Sequence, residues 1–341
     1  MRKIILLSGA VIFICSCKNN SNSGGHNDMV YGSPQAVVSS QPNNEKAKGP
    51  IGFGAGVPPL MQGDTIDVKF DATHKIFHVG SEIAYMGWTF GDSIPGPIIH
   101  VKVGQTIRFA MTDRSNDTMQ NQAMHMNMKP MQHSIDFHAA MVNPADKYRT
   151  IQPGETIHFT WTANYPGVFM YHCATPSVLV HISNGMFGMV IVEPRDGYPT
   201  TVDTEFALVQ NEYYLKQNGD AYVMDTAAAR TRQPSYVTFN GKIGQYIIHP
   251  LKVKAGKRVR VYFLNVGPNN ISNFHVIGTI LDKVWLDGNP KNQLVGMQSV
   301  LVGPASGAIM EFVLPEPGRY PFVDHSFANA EAGATGEFLA E

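Results

Sequence analysis

The sequence predicts an all-β protein built from two tandem β-sandwich domains, and three observations carry that prediction. Beyond residue 57, short runs rich in Val, Ile, Phe, Tyr and Thr alternate with turns of Gly, Pro, Asn and Asp, as in His100-Val101-Lys102-Val103-Gly104-Gln105-Thr106-Ile107-Arg108-Phe109. Long stretches of helical periodicity are scarce. A weak internal repeat matches Val101–Phe109 to Leu251–Val261, Pro166–His172 to Pro317–His325, and Asp136-Phe137-His138 to Asn273-Phe274-His275.

At the N-terminus, Arg2-Lys3 is followed by an apolar run from Ile4 to Ile14 and then Cys15-Ser16-Cys17. The run is too short to span a bilayer, which needs roughly twenty residues, and reads instead as the core of an export signal. Its end resembles the lipobox of bacterial lipoproteins, which implies a signal peptide over 1–17 and a lipid on Cys17. Residues 18–56 are rich in Asn, Ser, Gly, Gln and Pro with few apolar clusters, as expected of a flexible tether. The first domain is expected over 57–197 and the second over 198–341, with the boundary near Pro194 to Pro199. A net charge of −1 and a charged fraction of 16% leave no electrostatic footprint for nucleic acid.

Thirteen His and seventeen Met stand against three Cys. With Cys15 and Cys17 assigned to the leader, Cys173 is the only thiol of the mature domains, so no disulfide within the chain can form. A copper site of the electron-transfer kind needs two imidazoles and a thiolate near trigonal with a weak axial Met. The expected order is one upstream His followed by Cys, His and Met on a single loop. His133, Cys173, His181 and Met186 fit that order. Strand parity gives an independent reading, because successive side chains of an extended chain point to opposite faces. His133 and Cys173 then face inward to share one metal, while Asp136, His138 and His172 face outward together. Two outward imidazoles are one short of a catalytic three-His centre with an exchangeable water. His325, at the repeat equivalent of His172, is the candidate for the third.

The segments His133-Ser134-Ile135-Asp136-Phe137-His138, Tyr171-His172-Cys173-Ala174-Thr175-Pro176, His181 to Met186, Phe274-His275-Val276-Ile277-Gly278 and Val323-Asp324-His325 resemble, in order, the copper-site motifs of copper nitrite reductases. The likeness runs from about residue 57 to the C-terminus. It implies two cupredoxin-like Greek-key domains, a type 1 copper on His133, Cys173, His181 and Met186, and a type 2 copper on His138, His172 and His325. It also implies a homotrimer in which His325 comes from the neighbouring subunit. Nitrite would be reduced to nitric oxide by one electron, with Asp136 and His275 handling protons and Ile277 shaping the anion pocket.

No Cys-X-X-Cys-His haem motif is present, so the electron is expected from an external donor of the cytochrome c or cupredoxin type. The lipid would hold the enzyme at a membrane, on the periplasmic or cell-surface side. Where some family members carry a Glu-Thr pair, this chain reads Gln298-Ser299, so an amide and a hydroxyl are expected to orient His275. The Met-rich segment from Met124 to Met131 is expected to be an ordinary loop covering the metal site, the alternative being that its soft ligands hold Cu(I) transiently. Two rivals make contrary demands. A multicopper oxidase needs His-X-His pairs and a His-Cys-His run, which are absent; a blue-copper carrier or copper-binding lipoprotein would leave Asp136, His138, His172 and His325 without a role.

Overall fold

A computed structural model describes residues 54–117 and 130–341. The signal peptide, nearly all of the tether and residues 124–129 of the Met-rich segment lie outside the described residues. The first half contributes β1 (Thr65–Gly80), β2 (Ile83–Phe90), β3 (Ile99–Lys102), β4 (Thr106–Asp113), β5 (Asp136–Phe137), β6 (Thr156–Thr162), β7 (Gly167–His172) and β8 (Phe187–Glu193). Among the described residues two short helices interrupt it, α1 (Pro144–Lys147) and α2 (Val178–Ser183). One sheet runs β2-β1-β4-β6 and the other β3-β8-β7-β5. Alternation dictates the packing: Ile66, Val68 and Phe70 of β1 are buried while Thr65, Asp67 and Lys69 between them face solvent. Phe70, Phe109, Phe137, Trp161 and Tyr171 fill the space between the sheets. Each such side chain contributes about 1.5–3 kcal/mol by burial.

The second half is built alike, from β9 (Thr204–Tyr213), β10 (Leu215–Asn218), β11 (Ala221–Met224), β12 (Tyr236–Phe239), β13 (Leu251–Val253), β14 (Arg258–Asn265), β15 (Ser272–Val276), β16 (Leu281–Leu286), β17 (Gln293–Met297), β18 (Ser299–Val302), β19 (Ser306–Val313), β20 (Gly318–Asp324) and β21 (Thr335–Ala340). Helices α3 (Thr226–Arg230), α4 (Gln245–Ile248) and α5 (Phe327–Glu331) lie in its loops. Its sheets run β12-β9-β14-β19-β16-β17 and β13-β21-β20-β15-β18, around Phe263, Phe274, Phe322 and Phe338. The repeat seen in the sequence has a structural counterpart. Strand β4 pairs parallel to β1 and antiparallel to β6, and β14 pairs parallel to β9 and antiparallel to β19.

The halves are not independent. Hairpin β10–β11 leaves the second sandwich and adds to the edge of the first, with Tyr222 of β11 opposite Tyr85 of β2. A third apolar cluster, including Met170, Met189, Tyr213, Tyr262 and Trp285, joins the sandwiches. Val168 donates a backbone hydrogen bond of 2.8 Å to the Asp287 carbonyl across this junction. Only glycine fits before it, since a Cβ on Gly167 would lie 2.4 Å from that same carbonyl oxygen. Strand β7 is therefore fixed from both sides, and its end delivers His172 and Cys173.

Candidate metal centres

The first centre is assembled from three segments. His133 is held by a two-way backbone bridge to Ile151, and Cys173 follows directly on β7. His181 occupies the last turn of α2. Backbone bonds from Cys173 N–H to the Met186 carbonyl (3.1 Å) and from Met186 N–H to the His181 carbonyl (3.2 Å) close the loop on itself. All four residues are buried. His133 Nδ1 lies 3.3 Å from His181 Nδ1, and Cys173 Sγ lies 3.3 Å from His181 Nδ1 and 4.0 Å from His133 Nδ1.

These atoms fit a metal. Two donors each about 2 Å from one cation stand about 3–3.5 Å apart. Protons do not compete well for the site: burial holds His133 down to about 2 and His181 to about 4. Burial also pushes the Cys173 thiol up, against the backbone N–H bonds it accepts from Ser134 and Thr175, so the thiolate needs a cation to be favoured. Ser134 braces the pocket: its N–H donates to Cys173 Sγ at 3.4 Å, while its Oγ accepts from Ala174 N–H (3.0 Å) and the Thr175 hydroxyl (3.1 Å).

Two neighbours of this centre were not legible in the sequence. His74 Nε2 lies 2.9 Å from His133 Nε2, and the His74 ring stacks on Trp88 at 5.0 Å and 15°. Trp88 in turn sets its ring at steep angles to His133 (5.6 Å) and His181 (5.0 Å). Burial holds His74 neutral, down to about 3. No motif marks His74, and one of only three tryptophans was the sole hint of Trp88.

The second cluster faces away from the first. Strand β5 is only Asp136–Phe137 and His138 already lies in a turn, so the extended stretch is shorter than expected from the sequence. Even so, Ile135 and Phe137 are buried with His133, whereas Asp136 is half-buried and His138 exposed. His138 Nε2 and His172 Nε2 approach to 3.0 Å, with Asp136 Oδ2 3.8 Å from His172 Nε2. His172 Nδ1 is 2.9 Å from the Cys173 carbonyl, to which it donates, leaving a lone pair on Nε2. Partial burial and the neighbouring His172 lower the His138 pKa. The three side chains form a group fit for a metal, and the ligand of one centre is bonded directly to a ligand of the other.

His275 and His325 meet on the second sandwich, their ring centroids 5.6 Å apart, and neither belongs to that group within this chain. His325 is exposed and follows β20, where buried Asp324 fixes the turn. The Asp324 carboxylate accepts from Asn273 N–H, Ser326 N–H, Gln210 and Asn329. His275 Nδ1 donates to the backbone carbonyl of Gln298 at 2.6 Å. This corrects the expectation of an amide and a hydroxyl: a main-chain oxygen, which either residue type would supply, orients the ring. Ile277 follows two residues on, tied by its N–H to the Pro321 carbonyl. Phe327, whose ring lies 4.8 Å from that of His325, and Leu301, paired across the sheet with Asn273, are each more than half exposed, as are Ile271 and Ile280 on either side of the strand that carries His275.

Two family models described as multicopper oxidase match residues 73–197 and 204–339. A copper-containing nitrite reductase of Neisseria gonorrhoeae is 38% identical over 296 residues, 84% of this chain and 71% of that protein. The solved copper nitrite reductase of Nitrosomonas europaea is 35% identical with a TM-score of 0.72, over 81% of this chain and 94% of that one. The Cu-containing nitrite reductase of Thermus scotoductus is 33% identical with a TM-score of 0.73, over 81% of this chain and 62% of that one.

Proposed function

Since the chain belongs to the family of copper-containing nitrite reductases, we infer that it reduces nitrite to nitric oxide and water with one electron and two protons. The observation that carries the reading is the pair of donor clusters joined through His172 and Cys173. When bound, copper at His133, Cys173, His181 and Met186 supplies one-electron redox chemistry, and copper at His138, His172 and His325 supplies a positive, Lewis-acidic site for the anion. Consecutive Cα atoms are about 3.8 Å apart, so the electron has a short covalent path between the centres.

The remaining work falls to the chain's own groups. Asp136, beside His172, is placed to carry a proton to a nitrite oxygen. His275 spends Nδ1 on the Gln298 carbonyl, so Nε2 is the atom that gives and takes a proton. Ile277 limits the pocket on the same side of the strand. Exposed His325, half-buried His275 and the exposed apolar side chains nearby call for a cover, and a second copy of the chain presenting Asp136, His138 and His172 is the occupant that completes a three-imidazole site. Cyclic association into a homotrimer would repeat that junction three times. The electron donor is a separate cytochrome c or cupredoxin, and the protein is an exported lipoprotein anchored through Cys17. The test is anaerobic nitrite turnover with nitric oxide detection on protein holding two coppers per chain, with Cys173→Ala as control. Nitric oxide from the parent and not from the control is expected; none from fully loaded parent would refute the function.

A further inference from the structure

His74 has no part in the roles assigned above, yet it is 1% exposed and sits 2.9 Å behind a metal ligand. It comes from β1, 59 residues before His133, and its ring lies flat on Trp88. His133 Nδ1 converges with His181 Nδ1 and Cys173 Sγ, so its lone pair is committed to the cation. The proton of that neutral ring is therefore on Nε2, which donates to His74 Nε2, and His74 carries its own proton on Nδ1.

We propose that His74 is a positioning residue that sets the reduction potential of the type 1 copper by accepting a hydrogen bond from His133. An acceptor behind a ligand ring draws the N–H proton toward itself and raises electron density on the ligating nitrogen, which favours Cu(II) over Cu(I). An uncharged imidazole does this more than an apolar ring and less than a carboxylate. Trp88 keeps the geometry fixed, because it stacks on the acceptor while abutting both His133 and His181.

The inference rests on copper at His133, Cys173, His181 and Met186, and its test separates the two. Copper-loaded full chain is prepared as parent, His74→Phe, His74→Gln and His74→Glu, and the thiolate-to-copper absorption is titrated redox-wise alongside the type 2 EPR signal. The expected order of potentials is Phe highest, His and Gln close together, Glu lowest. Loss of the acceptor should change the Cu(II)/Cu(I) ratio at fixed ambient potential by about tenfold, equivalent to 59 mV for one electron. The type 2 signal should not move. An intact absorption band with equal potentials in Phe and Glu variants would overturn the role of His74. If His74→Phe does not fold, Glu must still fall below Gln, and equality or reversal overturns the proposal. Absence of the band in the parent would instead remove the copper reading on which it stands.

Discussion

Replacing Ser134 with Ala tests how the type 1 pocket is braced, and the structure fixes the expected size of the effect. Ser134 is fully buried and its Oγ holds two donors, Ala174 N–H and the Thr175 hydroxyl. The two donors have different prospects once Oγ is gone. Thr175 can turn to the Thr150 hydroxyl, already 3.2 Å away, whereas among the described residues Ala174 N–H has Ser134 Oγ as its one acceptor. Ala174 is half-buried, so orphaning its N–H costs about 1–2 kcal/mol, the lower part of the range for a buried donor. At about 2–4 °C per kcal/mol, the variant should melt about 2–8 °C lower. The same bond ties the His133 segment to the Cys173 loop, so copper retention against a chelator should weaken by about tenfold. Thr175→Val, which leaves Ser134 holding Ala174, should cost under about 1 kcal/mol. Calorimetry of the copper-free proteins and chelator competition of the loaded ones measure both effects. A Ser134→Ala protein that melts within a degree of the parent, or below which Thr175→Val falls, would refute the argument.

Three further outcomes are expected. Asp136→Asn and His275→Ala should each keep the type 1 absorption while lowering nitrite turnover by about a hundredfold or more; unchanged steady-state rates would remove that residue from proton delivery. In copper-free protein, burial holds His74, His133 and His181 well below the value near 6.5 that they take in the unfolded chain. The unfolded state therefore binds protons that the folded state refuses below pH 6.5, and stability falls as pH drops from about 6.5 toward 4, by up to about 1.4 kcal/mol per pH unit for each ring. Thermal melts at pH 7, 5.5 and 4.5 check this, and a flat profile would contradict it. Gly167→Ala should destabilise by about 1–3 kcal/mol, because the new methyl group meets the fixed Asp287 carbonyl; a neutral result by denaturant melt would show that the junction yields.

Much of the site was legible because its chemistry is written in short local spacings. Alternation from His133 to His138, together with the adjacency of His172 and Cys173, separates the inward donors from the outward ones, and the structure places them so. The internal repeat pointed to His325 because β20 stands where β7 stands in the first half. What escaped depends on contacts that spacing does not encode. His74 reaches His133 across 59 residues through sheet packing, without a motif. The carbonyl that orients His275 is main chain, so no residue identity announces it. Hairpin β10–β11 reads as part of the second sandwich until tertiary packing seats it on β2.

The central claim is that nitrite is reduced where His138 and His172 of one subunit meet His325 of another. It is tested most directly by mixing His172→Ala chains with His325→Ala chains, reassembling them with copper, and measuring nitric oxide formation. Each variant alone should be inactive. Random cyclic trimers of the two should regain about one quarter of the parent's sites, since each mixed trimer contains one junction with both histidines intact. No recovery from trimers shown to be mixed and copper-loaded would contradict a site shared between subunits.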